Sequence, residues 1–205
     1  MSNSATVHII DDDFHMRHSM ADLIRFAGHH LVLWSDAQSF FSDWRATDLL
    51  SIVITDMRMP GMSGLELHRR LLERGLDLPL IYISGESSVP QTISAMKLGA
   101  IDFLVKPFTA QDLLTAVNKA IESARSKRAH RVAQLQLQDL LQRLTRRERE
   151  VYDLMRRGFN NAEIMAEMGV SLPTAKQYKG AVMRKMGVET LAQLMGLGQN
   201  PQAGQ

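Results

Sequence analysis

The sequence predicts an α/β fold, a doubly wound parallel sheet of five strands, joined to a second, all-helical domain. Three observations carry this. Short apolar runs recur at roughly 25-residue spacing with helical patterns between them, the signature of buried parallel strands and crossover helices. The alternation stops near residue 125, after which only helical patterns remain. The charge divides at the same place: residues 1–125 carry 11 Lys and Arg against 15 Asp and Glu, a net of −4, whereas residues 126–205 carry 13 against 7, a net of +6.

Taken in order, the strands are expected at residues 7–10, 30–34, 52–55, 80–83 and 103–105, with helices at 14–27, 36–45, 64–74, 88–97 and 110–125. Five βα units favour helices on both faces of the sheet. Residues 126–143 lack a strong breaker and are expected to continue the fifth helix as a linker, with Val132, Leu135, Leu137 and Leu141 partly packed. The apolar spacing there is irregular, so a solvated helix and a coiled-coil seam both fit. Residues 144–198 form the second domain. Thr145 and Glu148 make a capping box for a helix running through Val151, Leu154 and Met155 to Gly158. Asn161 is placed to cap a short second helix ending near Met168, Ser171 a third over residues 172–186, and Thr190 a fourth. Gly169-Val170-Ser171 is a tight connection between the second and third helices, which is a helix-turn-helix arrangement. The tail, residues 199–205, is rich in Gln, Gly and Pro and is expected to be disordered.

The totals exclude several function classes. At 205 residues the chain suits one large or two small domains. No apolar stretch approaches the ~20 residues of a membrane span and no signal peptide opens the chain, so the expectation is cytoplasmic, without a membrane partner. Zero cysteines exclude disulfides, thiolate metal sites and cysteine nucleophiles. An acidic half joined to a basic half suggests a metal-binding or control module tethered to a polyanion binder, although a solvated basic surface has the same composition.

Chemistry gathers at the carboxyl ends of the strands, which share one crevice in such a sheet. Asp11-Asp12, Asp56, Ser84 and Lys106 each follow a strand there. Hard carboxylate oxygens suit Mg²⁺, which keeps waters exchangeable for phosphate oxygens. Asp56 can then act as a nucleophile toward phosphorus, with the metal and Lys106 neutralising the phosphoryl oxygens. Ser84 can donate a hydrogen bond to the bound phosphate. Singly, each residue has a plainer explanation: Asp12 as a helix cap, Lys106 as a loop lysine. Their joint placement behind separate strands favours the site. Lys106-Pro107 is also a bond able to adopt cis at modest cost.

The runs Ile10-Asp11-Asp12-Asp13, Thr55-Asp56-Met57-Arg58-Met59-Pro60-Gly61-Met62-Ser63-Gly64, Ile83-Ser84-Gly85 and Lys97-Leu98-Gly99-Ala100-Ile101-Asp102-Phe103-Leu104-Val105-Lys106-Pro107-Phe108 resemble a response-regulator receiver domain. The resemblance implies strand order 2-1-3-4-5 and phosphorylation of Asp56 by a histidine kinase. It implies Mg²⁺ held by Asp12, Asp56 and the carbonyl of Arg58, with Asp11 acting through water. Ser84 and Phe103 become the switch pair and Lys106 the phosphate partner. A hydrolase using an aspartyl-phosphate intermediate commonly has a second acid two residues after the nucleophile. Arg58 stands there and is no general acid, so the chain is not expected to be an enzyme. Slow self-hydrolysis of the phospho-aspartate fits, tuned by Arg58 and Glu86.

Residues 144–151, Gly158, Asn161, Glu163-Ile164, Thr174 and Val182-Met183-Arg184-Lys185-Met186 resemble the LuxR-type helix-turn-helix domain, and the whole order resembles the FixJ-type subgroup. The implied DNA-facing residues are Asn161, Thr174, Lys176, Gln177, Lys179, Arg184 and Lys185. Departures fall where reading should occur: Ala162, Pro173 and Ala175 replace the usual residues, and Lys176-Gln177-Tyr178-Lys179-Gly180-Ala181 replaces the familiar run. Gly180 costs about 1 kcal/mol relative to Ala inside a helix; close approach of DNA or of another helix would justify it. Two outcomes fit: an unusual operator, or a signalling adaptor binding protein or RNA. The retained basic residues favour DNA. The expected function is therefore a two-component transcription regulator, with a sensor histidine kinase, DNA, a phosphorylation-dependent homodimer formed around residues 96–102, and RNA polymerase as partners.

Overall fold

The computed structural model describes residues 4–45, 50–85 and 89–198. The expected disordered tail at 199–205 and Glu86 lie outside the described residues. In chain order the elements are β1 (Thr6–Ile10), α1 (Phe14–Phe26), β2 (His30–Trp34), α2 (Ala37–Asp43), β3 (Ser51–Asp56), α3 (Gly64–Glu73), β4 (Leu80–Ser84), α4 (Val89–Lys97), β5 (Asp102–Val105), α5 (Ala110–Gln142), α6 (Arg146–Arg156), α7 (Asn161–Met168), α8 (Leu172–Met186) and α9 (Leu191–Gly196). The strands form one parallel sheet in the order β2-β1-β3-β4-β5. The expected fold class is the observed one.

The strands' two-residue period sorts the core into two layers. Val7, Ile9, Ile52, Ile54, Ile81, Ile83 and Leu104 pack against Met20 and Ile24 of α1 and Leu113, Val117 and Ile121 of α5. Ile10, Val53, Leu80 and Tyr82 face the other way, onto Phe40 of α2, Leu67 and Leu71 of α3 and Ala95 of α4. Central β3 is buried on both faces, which is why it reads as an unbroken apolar run.

Two polar groups are buried among these apolar layers. His8 of β1 is 5% exposed, and the indole N–H groups of Trp34 and Trp44 point at its Nδ1 and Nε2, at 3.3 and 3.2 Å. Tyr82 is fully buried, its hydroxyl 3.0 Å from His68 Nδ1.

By its contacts the chain divides into two compact units, Met1–Lys127 and Arg128–Gln205. Helix α5 runs on past residue 125 to Gln142. Its last turns are part of the second unit: Leu137, Leu140 and Leu141 pack on the core formed by Val151, Met155, Ile164, Ala175, Val182, Met186 and Leu194. Val132 and Leu135, expected to be partly packed, are 45% and 57% exposed. Thr145, Ser171 and Thr190 cap α6, α8 and α9 as expected. The cap of α7 is corrected to Asn160. Its backbone is extended and its Oδ1 accepts from the amides of Ala162 and Glu163, which makes Asn161 the first helical residue.

Candidate functional site

Strand register assembles the site. β1 and β3 pair from Thr6 with Ser51 to Ile10 with Thr55, so Asp11 and Asp56 leave the sheet side by side. Asp56 pairs with Ile83 and Ser84 with Val105, which brings Ser84 and Lys106 to the same edge. The Lys106 amide donates to the Ser84 carbonyl at 2.8 Å. The Lys106–Pro107 peptide is cis.

The carboxylates of Asp11, Asp12 and Asp56 each offer an oxygen within 4.8 Å of the others. Asp11 is buried, Asp56 half-buried and Asp12 exposed, so the cluster opens to solvent on one side. Lys106 Nζ donates to Asp56 Oδ2 at 2.6 Å and to Asp11 Oδ2 at 3.2 Å. The remaining oxygens also have amide donors: Asp13 N–H to Asp11 Oδ1 at 2.8 Å, and Arg58 N–H to Asp56 Oδ1 at 3.0 Å. Burial pushes the Asp11 carboxyl above its usual range; the Asp13 amide and Lys106 pull it back, and the Asp56 charge adds to the rise. Burial alone would lower the Lys106 amine, but its hydrogen bond to Asp56 and the two carboxylate charges outweigh it and leave it raised. The helix α1 cap is Asp13, which accepts from the His15 and Met16 amides. Asp12 is therefore not the cap. Three hard oxygen donors with one open side fit a divalent cation of the Mg²⁺ class.

Ser84 is buried at the end of β4 and Phe103 half-buried on β5, its ring 6.3 Å from that of Tyr82. Arg58 is exposed beside the cluster. Two contributors were missed in the sequence. Arg17 Nη1 donates to the Asp11 carbonyl at 2.5 Å, bracing the loop that carries the acidic pair. Its only sequence signal is a basic residue one turn into the helix that follows three aspartates. At Gly64 a Cβ would lie 2.4 Å from the Asp56 carbonyl oxygen, so glycine is what lets α3 start against the acceptor strand.

In the second unit α7 and α8 are joined through Gly169, whose φ of 63° is the left-handed conformation a tight helix-turn-helix needs. Lys176, Gln177 and Arg184 are exposed on α8, while Asn161, Thr174 and Lys179 are half-buried. Thr174 Oγ1 is 2.7 Å from the capping Ser171 Oγ. Lys185 is engaged inside the unit: Nζ donates to Glu148 Oε2 at 2.6 Å and to the Arg143 carbonyl at 3.2 Å. The Lys185 hydrogen bond, and then the Thr145 amide, hold the Glu148 carboxyl below its usual range. Lys185→Ala is expected to destabilise this unit by about 1–3 kcal/mol in urea melts followed by circular dichroism. Lys176→Ala, exposed on the same helix, should leave the melt unchanged.

Residues 7–118 match the response regulator receiver domain family, and residues 142–197 match the bacterial regulatory proteins of the luxR family. Nodulation protein W of Bradyrhizobium diazoefficiens is 37% identical over 194 residues, covering 95% of this chain and 85% of that protein. The response regulator protein TodT of Pseudomonas putida is 34% identical over 196 residues, covering 95% and 86%. Among solved structures, the response regulator StyR superposes with a TM-score of 0.79 at 37% identity, covering 94% of this chain and 97% of that one. Full-length FixJ from B. japonicum gives 0.59 at 34% identity, covering 96% of each.

Proposed function

Because the chain belongs to the DNA-binding two-component response regulators, we propose that it accepts a phosphoryl group on Asp56 from a sensor histidine kinase and thereby controls transcription. The observation that carries the reading is the Lys106 ammonium, set 2.6 Å from Asp56 Oδ2 at the rim of a three-carboxylate cluster. An Asp56 oxygen attacks phosphorus, the bond to the donor imidazole nitrogen breaks, and that nitrogen leaves with the electron pair. Asp11, Asp12, Asp56 and the Arg58 carbonyl would hold Mg²⁺, which when bound neutralises the phosphoryl oxygens. Lys106 holds one of those oxygens, and the Ser84 hydroxyl donates to another once phosphate is present. Phe103 then repacks with Ser84, and the face around residues 96–102 becomes a homodimer contact.

Dimerisation would set two basic domains on adjacent half-sites, where RNA polymerase can be recruited. Asn161, Thr174, Lys176, Gln177, Lys179 and Arg184 approach the duplex, and Lys185 acts mainly by bracing α6 and α8. Arg58, two residues after Asp56, cannot protonate a leaving group, so the phosphoryl group is lost only by slow hydrolysis, with Arg58 and Glu86 as rate-setting neighbours. Among the described residues no helix is long and apolar enough to cross a membrane, and the setting of such a regulator is the cytoplasm.

Footprinting with the full chain, before and after treatment with acetyl phosphate, tests the reading. Phosphorylation should tighten protection of discrete sites, and affinity should fall log-linearly as salt rises. Binding that is absent or insensitive to salt would overturn operator recognition and return the chain to an adaptor role.

A further inference from the structure

We infer that Gly180 is a specificity-determining position of the DNA-facing helix, where bare backbone admits a closer duplex than any side chain allows. This rests on the DNA-binding function proposed above. Gly180 lies in the interior of α8, between its cap at Ser171 and the left-handed Gly187 that ends it. A glycine there weakens the helix relative to alanine. Most of the other described glycines have a local reason; the exceptions are Gly85, outside any helix, and Gly196, the last residue of α9. Gly169 and Gly187 adopt positive φ, and Gly64 has a carbonyl oxygen where its Cβ would be. Gly180 has neither reason: it is absent from the positive-φ residues, and a Cβ built on it meets no described atom within 4 Å. Packing against another described helix of its own unit is thereby removed.

The position is also the centre of the outward face. Ala175, Val182 and Met186 turn inward to the core, whereas Lys176, Gln177, Gly180 and Arg184 are exposed. Lys176 and Arg184 flank Gly180 by one helical turn on either side, about 12 Å apart along the axis. Two cations spaced so, with nothing protruding between them, suit a groove whose phosphate walls are held at both ends while the helix backbone sinks between. The second helix of a helix-turn-helix pair is the one that enters the major groove. A side chain at 180 would strike the base edges first and lift Lys176 and Arg184 from their phosphates.

The test uses the full-length phosphorylated chain, its Gly180→Ala and Gly180→Leu variants, and a random-sequence duplex pool. Gly180→Ala should raise the melting temperature of the helical unit by about 4–8 °C. It should also weaken binding to the duplex that the unaltered chain enriches by about 5- to 100-fold, Gly180→Leu by more, with altered preference at one base pair per half-site. A more stable Gly180→Ala that enriches the same sequence with equal affinity overturns this inference alone. Changed self-association with unchanged duplex binding overturns it equally. An unaltered chain that enriches nothing overturns operator recognition, and the inference falls with it.

Discussion

Asp56→Asn is expected to abolish phosphorylation by acetyl phosphate, and Lys106→Met to slow it by about 10²- to 10³-fold, the usual cost of removing one preorganised charge from a site of developing negative charge. The geometry separates the two roles. In the proposed reaction Asp56 supplies the attacking oxygen: Asp11 has the same kinds of partners, an amide at 2.8 Å and the ammonium at 3.2 Å, but is buried, whereas Asp56 is half-buried and holds the ammonium closer, at 2.6 Å. Lys106 reaches Asp11 as well, at 3.2 Å, so its loss leaves a buried and a half-buried carboxylate facing each other with no ammonium between them. Removing that ammonium should therefore strengthen Mg²⁺ binding, measured by calorimetry, even as phosphorylation slows. Intact mass spectrometry reads the gain of one phosphoryl group. An Asp56→Asn chain that still gains it, in full, would mean that the acceptor lies elsewhere.

Much of this site could be read from the sequence because the sheet does the positioning. Each strand is an apolar run ended by a polar residue, and in a parallel sheet all such ends share one edge. Asp11, Asp56, Ser84 and Lys106 therefore had to come together once the strands were recognised. Order within the sheet came from resemblance alone, since apolar runs do not say which strand lies beside which. Contacts between distant segments were not legible. Lys106 bonds to residues 50 and 95 positions away, and no local pattern specifies that it bridges two carboxylates rather than one.

Local competition hid other features. Asp11, Asp12 and Asp13 are equivalent in composition, and only backbone geometry decides that Asp13 caps α1 and releases Asp12 to the cluster. Asn160 and Asn161 pose the same choice at α7, and the extended φ and ψ of Asn160 settle it. Lys185 reads as one more cation on a DNA-facing helix until Glu148, 37 positions earlier, is seen to hold it. At residues 132–141 irregular spacing did not separate packed from solvated positions: all of Val132, Leu135, Leu137 and Leu141 were expected to be partly packed, but the core of the second unit covers Leu137, Leu140 and Leu141 and leaves Val132 and Leu135 exposed.

His8 should make the first unit lose stability as pH falls from 6.5 toward 4, by as much as about 3 kcal/mol from this residue alone. The ring is 5% exposed, and burial pushes it down from 6.5 to about 4. Between those values the unfolded chain binds a proton that the folded chain refuses, so acid favours unfolding; above about pH 7 both forms are neutral and the contribution is complete. The neighbours reinforce the sign. Phe40 packs edge-on at 5.4 Å, and both indole N–H groups point at the ring nitrogens. A neutral imidazole accepts at one nitrogen only, so it can satisfy one of the two indoles, and a protonated ring can satisfy neither. His29 and His68 are also lowered, by burial first, and act in the same direction as pH falls below 6.5. Trp34 and Trp44 are the chain's two tryptophans, and both adjoin His8, so indole emission during urea unfolding reports this unit. His8→Phe should flatten the stability profile between pH 4 and 6.5 relative to the unaltered chain. An unchanged slope would show that the acid sensitivity arises elsewhere, and would remove His8 from any account of how the β1–α2 layer is held.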